Sequence, residues 1–150
     1  MQIRFYSEYW NKTLQKLQRA QNTLARVVTR SSHYDSTTIQ LQKLRWLLIK
    51  QRIDFKIYVL SLKTWAINAP AYLATLLNSY KPARILRCTN NNLLQIPHTK
   101  TVTGTRAFRC AAPQLWNSLP VNITSLHSID CFRQNLQTFL YCQAYGFSAN

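Results

Sequence analysis

Carboxylates are nearly absent from this chain. Glu8, Asp35, Asp54 and Asp130 stand against 19 lysines and arginines, for a formal net charge of +15. Acids so scattered give no two-metal catalytic site, which needs carboxylates converging on both ions. Glycine is scarcer still, with only Gly104 and Gly146, so a G-x-x-x-x-G-K-[ST] phosphate loop has nowhere to form. Gly104 remains a candidate for a turn with positive φ. Cys88, Cys110, Cys131 and Cys142 contain no Cys-x-x-Cys pair. With His33, His98 and His127 they match no usual zinc spacing, although His127 and Cys131 are close in sequence, so no metal or other cofactor is expected. Serine, histidine and aspartate all occur, but their presence without geometry supports no triad. Asp54 reads as a helix-edge residue near Lys50 or Arg52 rather than a catalytic group. Taken alone, the chain is not an enzyme.

A long apolar run is also lacking. The start, MQIRFYSEYW, has no apolar core of signal-peptide length, and the most apolar stretch is interrupted by Asp54, Lys56 and Lys63. Neither feature suits a secreted or membrane-spanning chain. A nuclear or cytoplasmic location with buried, reduced thiols is expected, and no membrane partner. The glycosylation sequons Asn11-Lys12-Thr13 and Asn122-Ile123-Thr124 carry no meaning there.

Apolar and cationic residues fill the space. At 47% hydrophobic, with four tryptophans, eight tyrosines and six phenylalanines, the chain can bury a core. Its charge excess opposes compaction through self-repulsion and favours polyanionic partners. The plainer alternative is a solvated basic surface.

Helical periodicity dominates the first 80 residues, and the fold class it predicts is mainly α. Lys50 to Ala66 forms a central helix: Ile53, Ile57 and Leu60 lie on one side, with Phe55, Tyr58, Leu62 and Trp65 over most of the other. A helix apolar nearly all round is buried among partners. Arg52, Lys56 and Lys63 fall within roughly 40° of one another and leave one basic stripe. From Trp10 to Thr29 a second helix carries Trp10, Leu14, Leu17, Leu24 and Val28 on a core stripe. Lys12, Lys16, Arg19, Arg26 and Arg30 occupy an opposite arc of roughly 80°. A solvated helix surface normally mixes charge signs for i,i+4 pairing. This one has no acid after Glu8, which suits phosphate contact, a plain amphipathic helix, or a membrane surface.

Ser31 to Ser36 reads as a loop, with Thr37 or Thr38 capping a short helix through about Leu44. Arg45 to Leu48 turns the corner into the central helix, which should stop near Asn68 because Pro70 disfavours helical geometry at Ala69. Pro70 then opens AYLATLLNSY, with Tyr72, Leu73, Leu76 and Leu77 inward. The expected organisation is a helical region 1–80, a basic linker 81–105, an apolar plug and helix 106–143, and a tail 144–150. In the linker, Lys81, Arg84, Arg87 and Lys100 flank the polar run Thr89 to Asn92. Leu93 to Ile96 and Thr101 to Val102 are candidate strands of a loose hairpin. Phe108, Leu115, Trp116 and Leu119 form the plug. Ser128 caps a last helix lined by Ile129, Phe132, Leu136 and Phe139, which frays after Tyr141.

Five blocks, KLQRAQNTLARVVT, LQKLRWLLIKQRIDFKIYVLSLK, APAYLATLL, RAFRCAAPQLWNSLP and FRQNLQTFL, occur in an order and spacing that resembles one family. They look like the carboxy-terminal end of the reverse transcriptase of LINE-type (non-LTR) retrotransposons, beyond the polymerase palm, from about Lys16 to Leu140. The resemblance implies that Lys12 to about Tyr80 corresponds to the thumb and the helices after it, which grip the template–primer duplex. It implies RNA or DNA backbone as partner, and a parent RNA-directed DNA polymerase with endonuclease and polymerase domains upstream. The palm's paired aspartates have no counterpart, since no two aspartates here are adjacent. Two positions depart from the pattern. Arg45-Trp46-Leu47-Leu48 replaces His-Trp-Leu-Pro, giving up a helix-start signal. Ile67 stands where glycine usually follows the long helix, leaving Asn68 to take a left-handed cap. The rival reading is an inert translated remnant with no activity of its own.

Overall fold

The structure, a computed structural model, describes residues 2–80, 92–126 and 128–146, with side chains from residue 11 onward except at 102 and 103. These residues form eight helices and no sheet: α1 (Gln2–Thr29), α2 (Thr37–Lys43), α3 (Ile49–Ile67), α4 (Ala71–Ala74), α5 (Val102–Arg106), α6 (Phe108–Asn117), α7 (Val121–Thr124) and α8 (Ile129–Tyr145). The fold is mainly α, as the periodicity predicts. Two compact units divide the described residues, one within Met1–Ile53 and Thr138–Asn150, the other within Asp54–Gln137.

In the first unit α1 packs on α2, but not with the expected stripe. Leu17, Leu24 and Val28 are 49%, 57% and 57% exposed, while Gln21 and Ala25 are buried. The side chain of Trp10 lies outside the described residues. The packed face is turned by roughly 50° on the helical wheel from the predicted one. Its polar residues supply hydrogen bonds that leucines cannot. Gln21 Nε2 donates to the Leu47 carbonyl at 2.7 Å, and Gln18 Oε1 accepts from the Ile49 N–H at 3.0 Å. The second bond satisfies a donor in the first turn of α3 that would otherwise lack a partner. It serves as a start signal from another helix, beside Leu48, where the resembled pattern has proline.

Two helices of this unit stop on arginine. Arg30 and Arg45 take φ of 51° each, a left-handed conformation that disfavours a side chain bearing Cβ. After α1, the Ser31 N–H bonds back to Arg26 O at 3.1 Å. After α2, Trp46 N–H reaches Leu41 O and Arg45 N–H reaches Gln42 O, both at 3.0 Å. This is the bonding of a Schellman ending, usually built on glycine. Ser36 occupies the N-cap position of α2 without a side-chain bond. The Thr37 hydroxyl, expected as a cap, instead accepts from Arg26 Nη2 at 2.8 Å. Thr38 likewise lies within the helix.

The end of α8 completes the unit. Leu140 is buried, and the hydroxyls of Tyr141 and Tyr145 donate to the carbonyls of Gln42 (3.2 Å) and Trp46 (2.6 Å). These bonds correct the expected fraying after Tyr141. The helix holds to Tyr145 and ends where Gly146 takes φ 72°. Residues 147–150 of the expected tail lie outside the described residues.

The second unit is built around Trp116. Its indole is 1% exposed, lies 5.9 Å from the Phe132 ring and 6.1 Å from Trp65, and donates through Nε1 to Asn92 O at 3.0 Å. Truncating such a side chain costs about 3–5 kcal/mol. Leu119 is buried with it and Phe108 and Leu115 are half-buried, so the plug forms much as expected. From α8 this unit takes Phe132 and Leu136, both fully buried; Ile129 is half-buried. In α3 the buried positions are Tyr58, Val59, Ser61, Leu62 and Thr64. Ser61 and Thr64 are tolerated because their hydroxyls bond back to Ile57 O (2.8 Å) and Leu60 O (2.7 Å). Phe55, Ile57, Leu60 and Trp65 are half-buried, and Asn68, at φ 54°, takes the left-handed position after the helix.

Three expectations fail in this unit. The hairpin is absent: Leu94 bridges antiparallel to Ser79, and Thr101 caps α5 by accepting from Gly104 N–H at 3.1 Å. The extended run at Leu94 is held on its other side by a side chain. Asn117 accepts from Leu94 N–H and donates to Leu94 O, both at 2.9 Å, much as a neighbouring strand would. Gly104 sits in α5 without positive φ; a Cβ there would lie 2.9 Å from the Thr101 hydroxyl, so close approach explains the glycine. Tyr72 and Leu76 are 72% and 40% exposed because α4 is a single turn, too short to align a stripe, and only Leu77 is buried. Lys81, Arg84, Arg87, Cys88 and most of the polar run ending at Asn92 lie outside the described residues.

Candidate nucleic-acid interface

Helix α1 offers a cationic track. Lys12, Lys16 and Arg19 are all exposed, at successive rises of roughly 6 and 4.5 Å along the axis. Among the described residues none of the three is in an ion pair, and the only acid of α1, Glu8, has its side chain outside them. The lysines act as point charges, and Arg19 adds a planar fork suited to phosphate oxygens. Arg30 is exposed one position past the helix end, where its left-handed backbone carries it off the regular wheel.

Arg26 behaves differently. It is half-buried, bonded to Thr37, and its Nε is enclosed without a protein partner. It ties α1 to the start of α2, and much of its hydrogen-bonding capacity faces inward. On α3, Arg52 and Lys56 are exposed one turn apart, and Lys63 is half-buried two turns further on. Arg52 belongs to the first unit, Lys56 and Lys63 to the second.

Lys43, Arg45 and Lys50 are exposed as well, around the corner between α2 and α3. Helical periodicity passes over them. Their signal was local density, since with Arg52 they put four cations within ten residues; a wheel centred on one helix at a time does not register a cluster across a corner. Two of the acids are engaged close to their own positions. Asp35 accepts from Ser32 N–H at 2.8 Å within its own loop. Asp130 pairs with Arg133 at 3.8 Å in an exposed contact of the kind worth under about 1 kcal/mol.

No family model, curated protein or solved structure matches the chain. Its chemistry is therefore read from its own residues. Among those described, no three of His, Cys, Asp and Glu converge on a possible metal position, and no helix is long and apolar enough to cross a membrane. Cys110, Cys131 and Cys142 are free thiols; Cys110 is buried as expected, but Cys131 is exposed on α8. Asp54 is half-buried on α3, and its charge, after the larger effect of burial, helps push the Tyr58 phenol above its ordinary value.

Proposed function

We propose that this chain is a nucleic-acid-binding piece of a LINE-type reverse transcriptase, beyond the catalytic palm, that grips a template–primer backbone through its basic helix faces. One observation carries the reading: Lys12, Lys16 and Arg19 stand exposed in a row on α1, with no acid near them in sequence after Glu8. Arg30, Arg52 and Lys56 extend the set, with Arg26 and Lys63 contributing less because they are half-buried. Contacts of this kind position a duplex without reading its sequence. Such a piece acts in the nucleus or cytoplasm and is not catalytic alone. The test is a salt series on an RNA hairpin and a DNA duplex. For the duplex, reversing Lys12, Lys16 and Arg19 to glutamate should flatten the log–log salt slope by roughly 0.9 for each phosphate no longer neutralised. It should also weaken binding to all sequences alike. An unchanged slope would refute the assignment. Arg26→Ala is the control, and should lower stability more than affinity.

A second reading, a remnant without activity, draws on a different observation. Leu17, Leu24, Val27 and Val28 leave an exposed apolar strip along α1, and such surface promotes association. A monomeric sample with a cooperative melt counts against it.

A further inference from the structure

The loop that follows the cationic track carries an aromatic ring in an unusual setting. Tyr34 is 96% exposed, and among the described residues its ring partner is His33, edge-on at 5.9 Å between centroids. The loop beneath it is nonetheless well braced. Ser32 N–H donates to Asp35 Oδ2 at 2.8 Å, Asp35 N–H returns to Ser32 O at 3.1 Å, and Tyr34 N–H reaches Ser32 Oγ at 3.4 Å. Thr29 Oγ1 bonds to Ser31 Oγ at 3.0 Å and fastens the loop to the end of α1. Binding through a loop residue costs loop ordering as well as side-chain freedom, and a braced backbone reduces the first of these.

We propose that Tyr34 is a stacking platform for an unpaired nucleobase, in the loop that follows the carboxy-terminal end of α1; this deepens the backbone-binding reading and rests on it. Every base has a π-face, so stacking adds affinity for single strands without selecting sequence. Lys12, Lys16 and Arg19 hold the backbone further back along α1, roughly 15–25 Å of helix before the loop, and Arg30, exposed four residues before the ring, adds a cation at the start of the loop. A duplex offers this ring only its terminal pair, because its other bases are stacked on one another. The ligand class is accordingly single-stranded nucleic acid, or a single-stranded stretch flanking a duplex.

The experiment uses the full chain and two ligands of equal length and charge: a single-stranded oligonucleotide and its abasic counterpart, which keeps the sugar-phosphate backbone and lacks the bases. The wild type should prefer the base-bearing strand by about fivefold or more, the lower end of what one stacked base contributes. Tyr34→Ala should erase that preference and leave abasic binding intact, and Tyr34→Phe should keep it. A wild type that binds both strands equally, or a Tyr34→Ala that retains the preference, would overturn the platform and leave the backbone reading standing. If neither strand binds, both fail together. Because Tyr34 is almost wholly exposed, its replacement should not disturb folding.

Discussion

Replacing Gln21 should destabilise the first unit whatever apolar residue takes its place. The side chain is 4% exposed, and its Nε2 donates at 2.7 Å to the carbonyl of Leu47, a residue that is itself buried. Its Oε1 accepts from Gln18 Nε2 at 3.0 Å, and Gln18 in turn holds the Ile49 N–H. Leucine at this position would gain apolar burial but leave the Leu47 carbonyl without its donor. An orphaned buried group costs about 1–3 kcal/mol; the gain from burying a leucine is about 1.5–3 kcal/mol when a side chain passes fully out of water. Here the glutamine already fills the site, so the apolar gain is small and the loss prevails. Gln21→Leu and Gln21→Ala should each lose about 2 kcal/mol, which at this chain length lowers the melting temperature by roughly 4–8 °C. The assay is denaturant unfolding followed by far-ultraviolet circular dichroism. Gln18→Ala, alone and combined with Gln21→Ala, completes a cycle; the double variant should lose less than the sum, because the bond between the two amides is counted in both singles. A Gln21→Leu variant as stable as the wild type would refute the reasoning.

Arg45→Gly relieves a left-handed backbone at an exposed helix end. It should stabilise the chain by about 1 kcal/mol and weaken nucleic-acid binding, measured on the same preparation; a loss of stability would show that the arginine side chain, not the backbone, decides the position. Burial first, and the nearby Asp54 charge, raise the Tyr58 phenol above its ordinary value near 10, although the hydrogen bond with Ser118 opposes them. The neutral phenol is thus favoured in the fold, and the stability it contributes is complete below about pH 10 and lost as pH rises through the raised value. Unfolding midpoints measured from pH 8 to beyond 11 should fall on the alkaline side, and Tyr58→Phe should fall less steeply.

What periodicity reveals and what it hides both follow from the chemistry of particular residues. It located α1, α3 and α8 because each shows its apolar positions at helical spacing, whereas α2 was legible from the loop before it and a capping threonine. It assigned the wrong side of α1 because glutamine scores as solvent-facing until the backbone it serves is known. Gln18 and Gln21 serve carbonyl and amide groups of residues 47–49, far along the chain. Asn117 escaped notice for the same reason, and with it the true partner of the extended run at Leu94. The cationic set was legible as charge. Its division was not: wheel angles place Arg26 beside Arg19, and only the position of Thr37 shows that the guanidinium ties two helices together. Tyr34, in a loop without periodicity, left no pattern to read.

The hydroxyls of Tyr141 and Tyr145 reach carbonyls 99 residues earlier in the chain, and this has a consequence for synthesis. A ribosome adding roughly 5–20 residues per second needs about 5–20 s to pass from Gln42 and Trp46 to their tyrosines. During that interval the first helices have emerged but lack the closing turns of α8, while the residues of the second unit are made in between. The first unit is thus begun before the second and finished after it. A nascent chain arrested before Thr138 should leave α1 and α2 open to protease, and release of the final turns should close them.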